Sequence, residues 1–142
     1  MTNYWLCLIS PRNWEFTKKN GVYGVWEKWK NRLQQVKKGD VMIFYVVPRR
    51  KQIVGMARVS SEPFDDFETE IWPNELYPHR VQIKILRDIT ETPLSIYDVI
   101  KEMLLFKGKF LGPTLYGKSI IPLSEHDFKV LLKALKRRVV KN

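Results

Sequence analysis

Residues 4–10 read YWLCLIS and are apolar almost throughout. A run of this length and composition predicts a strand buried on both faces, so the sheet that holds it needs cover on either side. Pro11 ends it. A second β-rich apolar run, VMIFYVV at 41–47, is followed by PRRKQ and then by IVGMARVSS at 53–61. Two strand-like runs on either side of a short polar turn predict a hairpin. Gly55 within the second run marks a bulge or a close approach of backbone. At 80–88, RVQIKILRD alternates Val81, Ile83 and Ile85 with Gln82, Lys84 and Leu86, the pattern of a half-buried strand. Hairpins and irregular loops separate these strands, not regular crossover helices. About five strands and three or so helices then predict an α+β domain, a small curved barrel-like sheet with flanking helices, rather than a doubly wound parallel sheet. The 142 residues suit one domain spanning 1–142, and no repeat or linker divides them.

The remaining segments supply the helices and loops. Residues 14–20 read as a loop or short helix. Trp26, Trp29, Leu33 and Val36 have helical spacing, and KKGD at 37–40 reads as a turn. Residues 62–79 are acidic, aromatic and without period, a long connection of the kind that tends to carry function. LSIYDVIKEMLL predicts a helix, with Ser95 and Asp98 at capping-box spacing. Ser124 and Asp127 form a second such pair before a helix with Phe128, Leu131, Leu132, Leu135 and Val139 inward and Lys129, Lys133, Lys136 and Arg137 mostly outward. Between them, FKGKFLGPTLYGKS at 106–119 is a glycine-rich, basic, aromatic loop followed by a short strand.

Charge narrows the choice of partner. The net charge is +10, yet residues 59–79 hold six acids and no Lys or Arg, so everything else carries +16. Basic clusters stand at Lys18-Lys19, Lys37-Lys38, Arg49-Arg50-Lys51, Lys107/Lys109 and Lys136-Arg137-Arg138. Such a surface attracts polyanions, nucleic acid first among them. No apolar run is long enough to span a bilayer, and the N-terminus reads as a first strand rather than a signal peptide, which makes the cytoplasm the expected location. Cys7 is the only cysteine, and no disulfide or cysteine metal site follows from it. His79 and His126 are far apart. Asp65, Asp66, Glu68 and Glu70 read as a solvated acidic loop before they read as a Mg²⁺ site. No catalytic, metal or cofactor motif is present, so catalytic residues, metals and cofactors are expected to be none.

Aromatic residues carry more information. Trp14, Tyr23, Phe64, Phe67, Trp72, Tyr77, Phe110 and Tyr116 lie in segments that do not read as helix or strand interiors. Core packing is the default for any one of them. Aromatics in basic loops are also what stacking on unpaired bases requires.

The order YWLCLIS, GVYGVW, KKGDVMIFYV, IVGMARVSSEPFDD, IWP, YPHRVQIKI and IIPLSEHDF resembles the EVE domain, of the stand-alone prokaryotic type, over nearly the whole chain. That family belongs to the PUA-like superfamily and is related to YTH domains. The resemblance implies a compact domain around a small β-barrel and a pocket for modified bases of RNA or DNA. By position it implies Tyr23 of GVYG as the first aromatic wall, with Trp26 competing, Trp72 of IWP as the second and Tyr77 as the third. Asn13 is the implied polar contact to the base and Lys118 of YGKS the implied phosphate contact. The chain departs from YTH domains in having Tyr at the first wall and Ile9 where a basic residue ends the first strand.

Together these readings predict a non-enzymatic nucleic-acid reader without membrane partners. Its base-binding set is Asn13, Trp14, Tyr23, Gly24, Trp26, Trp72 and Tyr77. Its phosphate-binding set is Lys18, Lys19, Lys107, Lys109 and Lys118. An ASCH-like enzyme acting on RNA or nucleosides, and a protein or ribosome adaptor using the basic helix 124–138, are the alternatives.

Overall fold

The computed structural model describes residues 1–47 and 51–138; the turn expected from residue 48 onward falls partly, and the inward position expected for Val139 wholly, outside them. Among the described residues, eight strands form one mixed, curved sheet. They are β1 (Tyr4–Ile9), β2 (Val22–Val25), β3 (Val41–Val46), β4 (Gln52–Val59), β5 (Phe64–Asp65), β6 (His79–Asp88), β7 (Leu94–Ser95) and β8 (Ile120–Leu123). The order is β2-β6-β4-β3-β1-β8, with β5 added to β6 and β7 to β4. β1 and β3 are parallel; every other pairing is antiparallel, including the predicted β3–β4 hairpin pair.

Both faces of the sheet are covered, which explains the uninterrupted apolar runs. Met42, Phe44 and Val46 of β3 join Trp5 and Cys7 of β1 in an inner core closed by Trp14, Tyr23, Val25 and Leu33. The alternate residues Val41, Ile43 and Tyr45 join Leu6 in an outer core. That core is covered by α4 (Glu125–Lys136) and by the segment from 96 to 115. Two bulges curve the sheet. One lies between Phe44/Tyr45 and the β4 residues opposite, where Val54 is the extra residue, and one between Met56/Ala57 and β6. Gly55 sits at the first: a Cβ there would stand 2.7 Å from Cζ2 of Trp14 and 2.8 Å from the Arg87 carbonyl oxygen. The glycine therefore marks both the bulge and the close approach.

Helix positions depart from the sequence reading in four places, the last being a short helix within the 106–119 stretch read as a loop. Residues 11–20 form a full helix, α1 (Pro11–Asn20). Ser10 caps it by accepting from the Asn13 N–H at 3.1 Å, Pro11 stands in the first turn and Gly21 ends it at φ +65°. Helical spacing at 26–36 yields only a 3₁₀ turn (Glu27–Trp29) and one short helix, α2 (Lys30–Leu33). Pairing of β2 with β6 holds the chain extended through Val25, and Trp26 is still extended at φ −83°, ψ 172°. The segment LSIYDVIKEMLL, predicted as a helix, instead forms three 3₁₀ turns from Ile96 to Phe106, and from them Ile96, Val99, Met103 and Phe106 reach the outer core. Asp127 explains the break: its two carboxylate oxygens accept from the Leu104 and Leu105 N–H groups at 2.7 and 2.9 Å. Ser124 caps α4 as expected, but Asp127 therefore does not complete a reciprocal box with it. One further short helix, α3 (Leu111–Leu115), precedes β8. Among the described residues no helix is long and apolar enough to cross a membrane.

Candidate functional site

Where β1 and β3 end, a cavity of about 240 Å³ opens between α1, β2 and the long connection before β6. Its walls come from five separate parts of the chain. α1 contributes Asn13 and Thr17, β2 contributes Tyr23 and Gly24, and the connection contributes Trp72, Glu75 and Tyr77. Leu8 and Val47 lie at the strand ends, and Lys118 and Ser119 come from the loop before β8. The sequence set Asn13, Tyr23, Gly24, Trp72, Tyr77 and Lys118 is thus gathered around one space.

Each ring is held differently. Trp72 is 1% exposed. Its indole N–H donates to Thr17 Oγ1 at 3.0 Å, the Arg80 guanidinium stacks 5.3 Å from its centre, and Tyr77 meets it edge-on at 5.3 Å. Gly24 makes room for it, since a Cβ at that position would lie 2.6 and 2.9 Å from two carbons of the indole and 2.9 Å from the Tyr77 carbonyl oxygen. Tyr77 is half-buried and its hydroxyl donates to Glu75. Tyr23 lies on a strand, not in a turn before a helix. Its ring packs edge-on against Phe44 at 5.6 Å in the inner core, and its hydroxyl donates to the Ser119 carbonyl at 3.0 Å. Burial, more than the neighbouring Cys7, pushes the Tyr23 phenol well above its ordinary pKa, and burial likewise pushes up the Cys7 thiol. Tyr23 is therefore a neutral, fixed boundary of the cavity.

Asn13 is buried and oriented by its partner. Glu75 Oε2 is acceptor-only, so the Asn13 side-chain NH₂ must face it, at 3.0 Å. That leaves Asn13 Oδ1 buried without a hydrogen-bond partner among the described residues. A buried acceptor left unpaired costs about 1–3 kcal/mol.

Arg80 organises the connection from below. Its Nε and one terminal nitrogen donate to the Tyr77 and Thr69 carbonyls at 2.8 and 2.6 Å, and the other terminal nitrogen pairs with Asp66 at 3.2 Å. Burial lowers the pKa of this guanidinium and Asp66 partly restores it. His79 is also buried, and its two ring nitrogens meet Asp65 at 2.8 Å and Glu27 at 2.6 Å. Burial alone would lower its pKa; the two carboxylates outweigh that and raise it above the ordinary 6.5. Asp66 Oδ1 also accepts from the Glu68 and Thr69 N–H groups, and Glu70 accepts from Asn74. The acidic stretch is largely exposed, as a solvated loop would be, yet several of its carboxylates are engaged with the backbone, His79 or Arg80, and among the described residues it is not gathered into a metal-ligand cluster. Asp65, Asp66 and Glu70 hold the connection that carries Trp72 and Tyr77.

The remaining predicted residues lie elsewhere. Trp14 does not line the cavity: it is buried in the inner core against Phe44 at 4.7 Å, with its N–H on Thr90 Oγ1 at 2.8 Å. Trp26, 48% exposed, lies beyond the end of β2 near Lys28 and also does not line it. Trp29 packs on the inner core as its spacing predicts. Lys18 bridges Glu15 and Asp88 at 2.9 and 3.0 Å in a different cleft. Lys19, Lys107 and Lys109 are exposed and away from the cavity wall. Sequence reading missed Thr17, Glu75 and Arg80. The four-residue step from Asn13 to Thr17 puts both on one helix face, which was a usable signal. Nothing local distinguished Glu75 from its acidic neighbours.

Comparison with known proteins agrees with this architecture. A UPF0310 protein of Pyrococcus horikoshii is 35% identical over 147 residues, covering 93% of this chain and 98% of that protein. Among solved structures, the YTH domain of the Zygosaccharomyces rouxii MRB1 protein in complex with N6-methyladenosine RNA superposes with a TM-score of 0.75 at 15% identity, covering 99% of this chain and 88% of that one. A hypothetical protein from Leishmania major gives 0.72 at 19% identity, with 96% of each chain covered. The family model for the EVE domain matches residues 3–134, and with the curved α+β sheet it establishes that the chain belongs to the EVE domain family.

Proposed function

We propose that this protein is a nucleic-acid reader that takes one flipped base, carrying a modification such as a methyl group, into the cavity between α1, β2 and the connection before β6. The observation that carries the reading is the convergence of Trp72, Tyr77 and Tyr23 with Asn13 on one space large enough for a base, with exposed Lys118 at its edge. The rings supply stacking and enclosure, each stacked base contributing about 1–3 kcal/mol. Asn13 supplies an acceptor that a donor on the base edge would pair, recovering the cost of leaving it buried alone. Burying one methyl adds only about 0.8 kcal/mol, so selectivity rests on fit between rigid walls as well as on area. The net charge of +10 supports a polyanionic partner, and the YTH relative with N6-methyladenosine RNA bound supports this use of the fold.

The reading is of binding without chemistry. Thr17 and Glu75 are engaged in holding the cavity's shape: Thr17 holds Trp72, and Glu75 holds Asn13 and Tyr77. His79, the natural acid–base candidate, is tied between two carboxylates outside the cavity wall. Clear turnover of RNA or acylated nucleosides would overturn this.

The test is fluorescence anisotropy with nine-nucleotide single strands, RNA and DNA, each carrying one central N6-methyladenine, 5-methylcytosine or plain base. At least one modified strand should bind more tightly than its plain counterpart. Trp72→Ala is a poor probe, because removing so buried an indole costs about 3–5 kcal/mol of stability. Tyr77→Leu, at a half-buried position, should erase most of the preference while the protein stays folded. Equal affinity for modified and plain strands across the panel would end the proposal.

A further inference from the structure

Beside the first cavity is a second, of about 430 Å³, on the other side of the strand ends. The two share Leu8, Val47, Lys118 and Ser119, so they are separated by a single layer of residues. The second is walled by Tyr45, Leu111 and Leu115, and Tyr116 stands on its rim. Tyr116 is 89% exposed, and its neighbour in the same loop, Phe110, is 83% exposed. Exposed large rings in one short segment are unusual for a solvated loop and mark a surface that something covers. Lys118 and Lys51, both exposed, stand at its edges, and Lys107 and Lys109 lie in the same loop. Cations around an apolar slot with an exposed ring suit a nucleobase carried on a phosphate better than an uncharged peptide or lipid.

We infer that this second cavity receives the nucleotide next to the flipped base. Tyr116 stacks on that neighbouring base, and Lys118, common to both cavities, meets the phosphodiester between them. The inference rests on the reader function proposed above, and it assigns a role to α3 and Tyr116, which do not line the first cavity. Lys107 and Lys109, which line neither cavity, precede in sequence the α3 residues that wall the second one.

The experiment uses the same nine-nucleotide strands with N6-methyladenine or 5-methylcytosine at the centre, and versions with an abasic site immediately before or after it. Removing the base on one side should weaken binding about 5- to 100-fold, and removing the other should cost little. Tyr116→Ala should weaken the intact strand by a similar factor and abolish the abasic penalty, with the ratio of modified to plain affinity kept. Because Tyr116 is exposed, that variant should melt with the parent. Gly112→Leu is a second variant: Gly112 lines the slot and space around a Cβ there is open, so a leucine should narrow the slot and give the same pattern. If modified strands are preferred but neither abasic site nor either variant changes affinity, the second site is wrong and the reader function stands. If no modified strand is preferred, the reader function falls and this inference falls with it. An intact preference with Tyr116→Ala affecting only protein capture would assign the slot to a protein and overturn the inference.

Discussion

Gly24→Ala is the sharpest perturbation of the cavity, because it adds one methyl group and removes nothing. The new Cβ would stand 2.6 Å from Cη2 and 2.9 Å from Cζ3 of Trp72, and 2.9 Å from the Tyr77 carbonyl oxygen. Carbon atoms in contact sit about 3.5–4.0 Å apart, so the indole must retreat by roughly 1 Å. It is poorly placed to do so. Thr17 holds its N–H at 3.0 Å, and Arg80 stacks on it at 5.3 Å. The Tyr77 carbonyl is equally constrained, since it accepts from Arg80 Nε at 2.8 Å. Overpacking of this kind costs about 1–3 kcal/mol. For a chain of this size that is a fall in Tm of about 3–10 °C, read by calorimetry or circular dichroism. The preference for a modified base should fall as well, because the displaced atoms belong to the cavity wall. A double-mutant cycle isolates the cause: Trp72→Phe removes the clashing carbons, so Gly24→Ala should cost less in that background than in the parent. An unchanged Tm and an unchanged base preference in the single variant would refute the claim that this contact shapes the site.

Three other outcomes follow from neighbouring geometry. His79 has a folded pKa above 6.5, so its contribution to stability is complete below the unfolded value and is lost as pH rises through the folded one. Urea midpoints should therefore fall from about pH 6.5 upward, and His79→Gln should flatten that slope. Asp127→Ala strips the acceptor from two backbone N–H groups and should cost about 2–4 kcal/mol, measured by urea unfolding, with the modified-base preference intact. Glu75→Gln replaces an acceptor-only group with an amide that can flip, so it should loosen Asn13 and Tyr77. Anisotropy should show reduced base preference with Tm nearly unchanged, because Glu75 itself is exposed.

Much of the fold was legible along the chain because apolar pattern is a local property that burial must respect. YWLCLIS predicts a strand with cover on both faces and VMIFYVV a second apolar strand, and both β1 and β3 are covered on both faces. Helical boundaries were less legible. Trp26, Trp29, Leu33 and Val36 keep the spacing of a helix face, yet strand pairing through Val25 takes the first turn away. Ile96, Val99, Met103 and Phe106 keep theirs while Asp127, distant in sequence, captures the N–H groups a continuous helix would use. Spacing reports which side faces inward, not which hydrogen bonds win.

Within the site, the residue types were determined by the sequence and their partnerships were not. Motif order placed Asn13, Tyr23, Gly24, Trp72, Tyr77 and Lys118 as candidates, and they line one cavity. Trp14 and Trp26 were equally plausible by type. Tertiary packing sends one into the inner core beside Gly55 and leaves the other outside. The roles of Thr17 and Glu75 exist only once residues about 60 positions apart meet, Thr17 with Trp72 and Asn13 with Glu75, and that of Arg80 only once the connection folds back over it. A side chain's chemistry belongs to its identity, but which atom it spends on its neighbours, and which it leaves for a ligand, is decided by what the fold brings beside it.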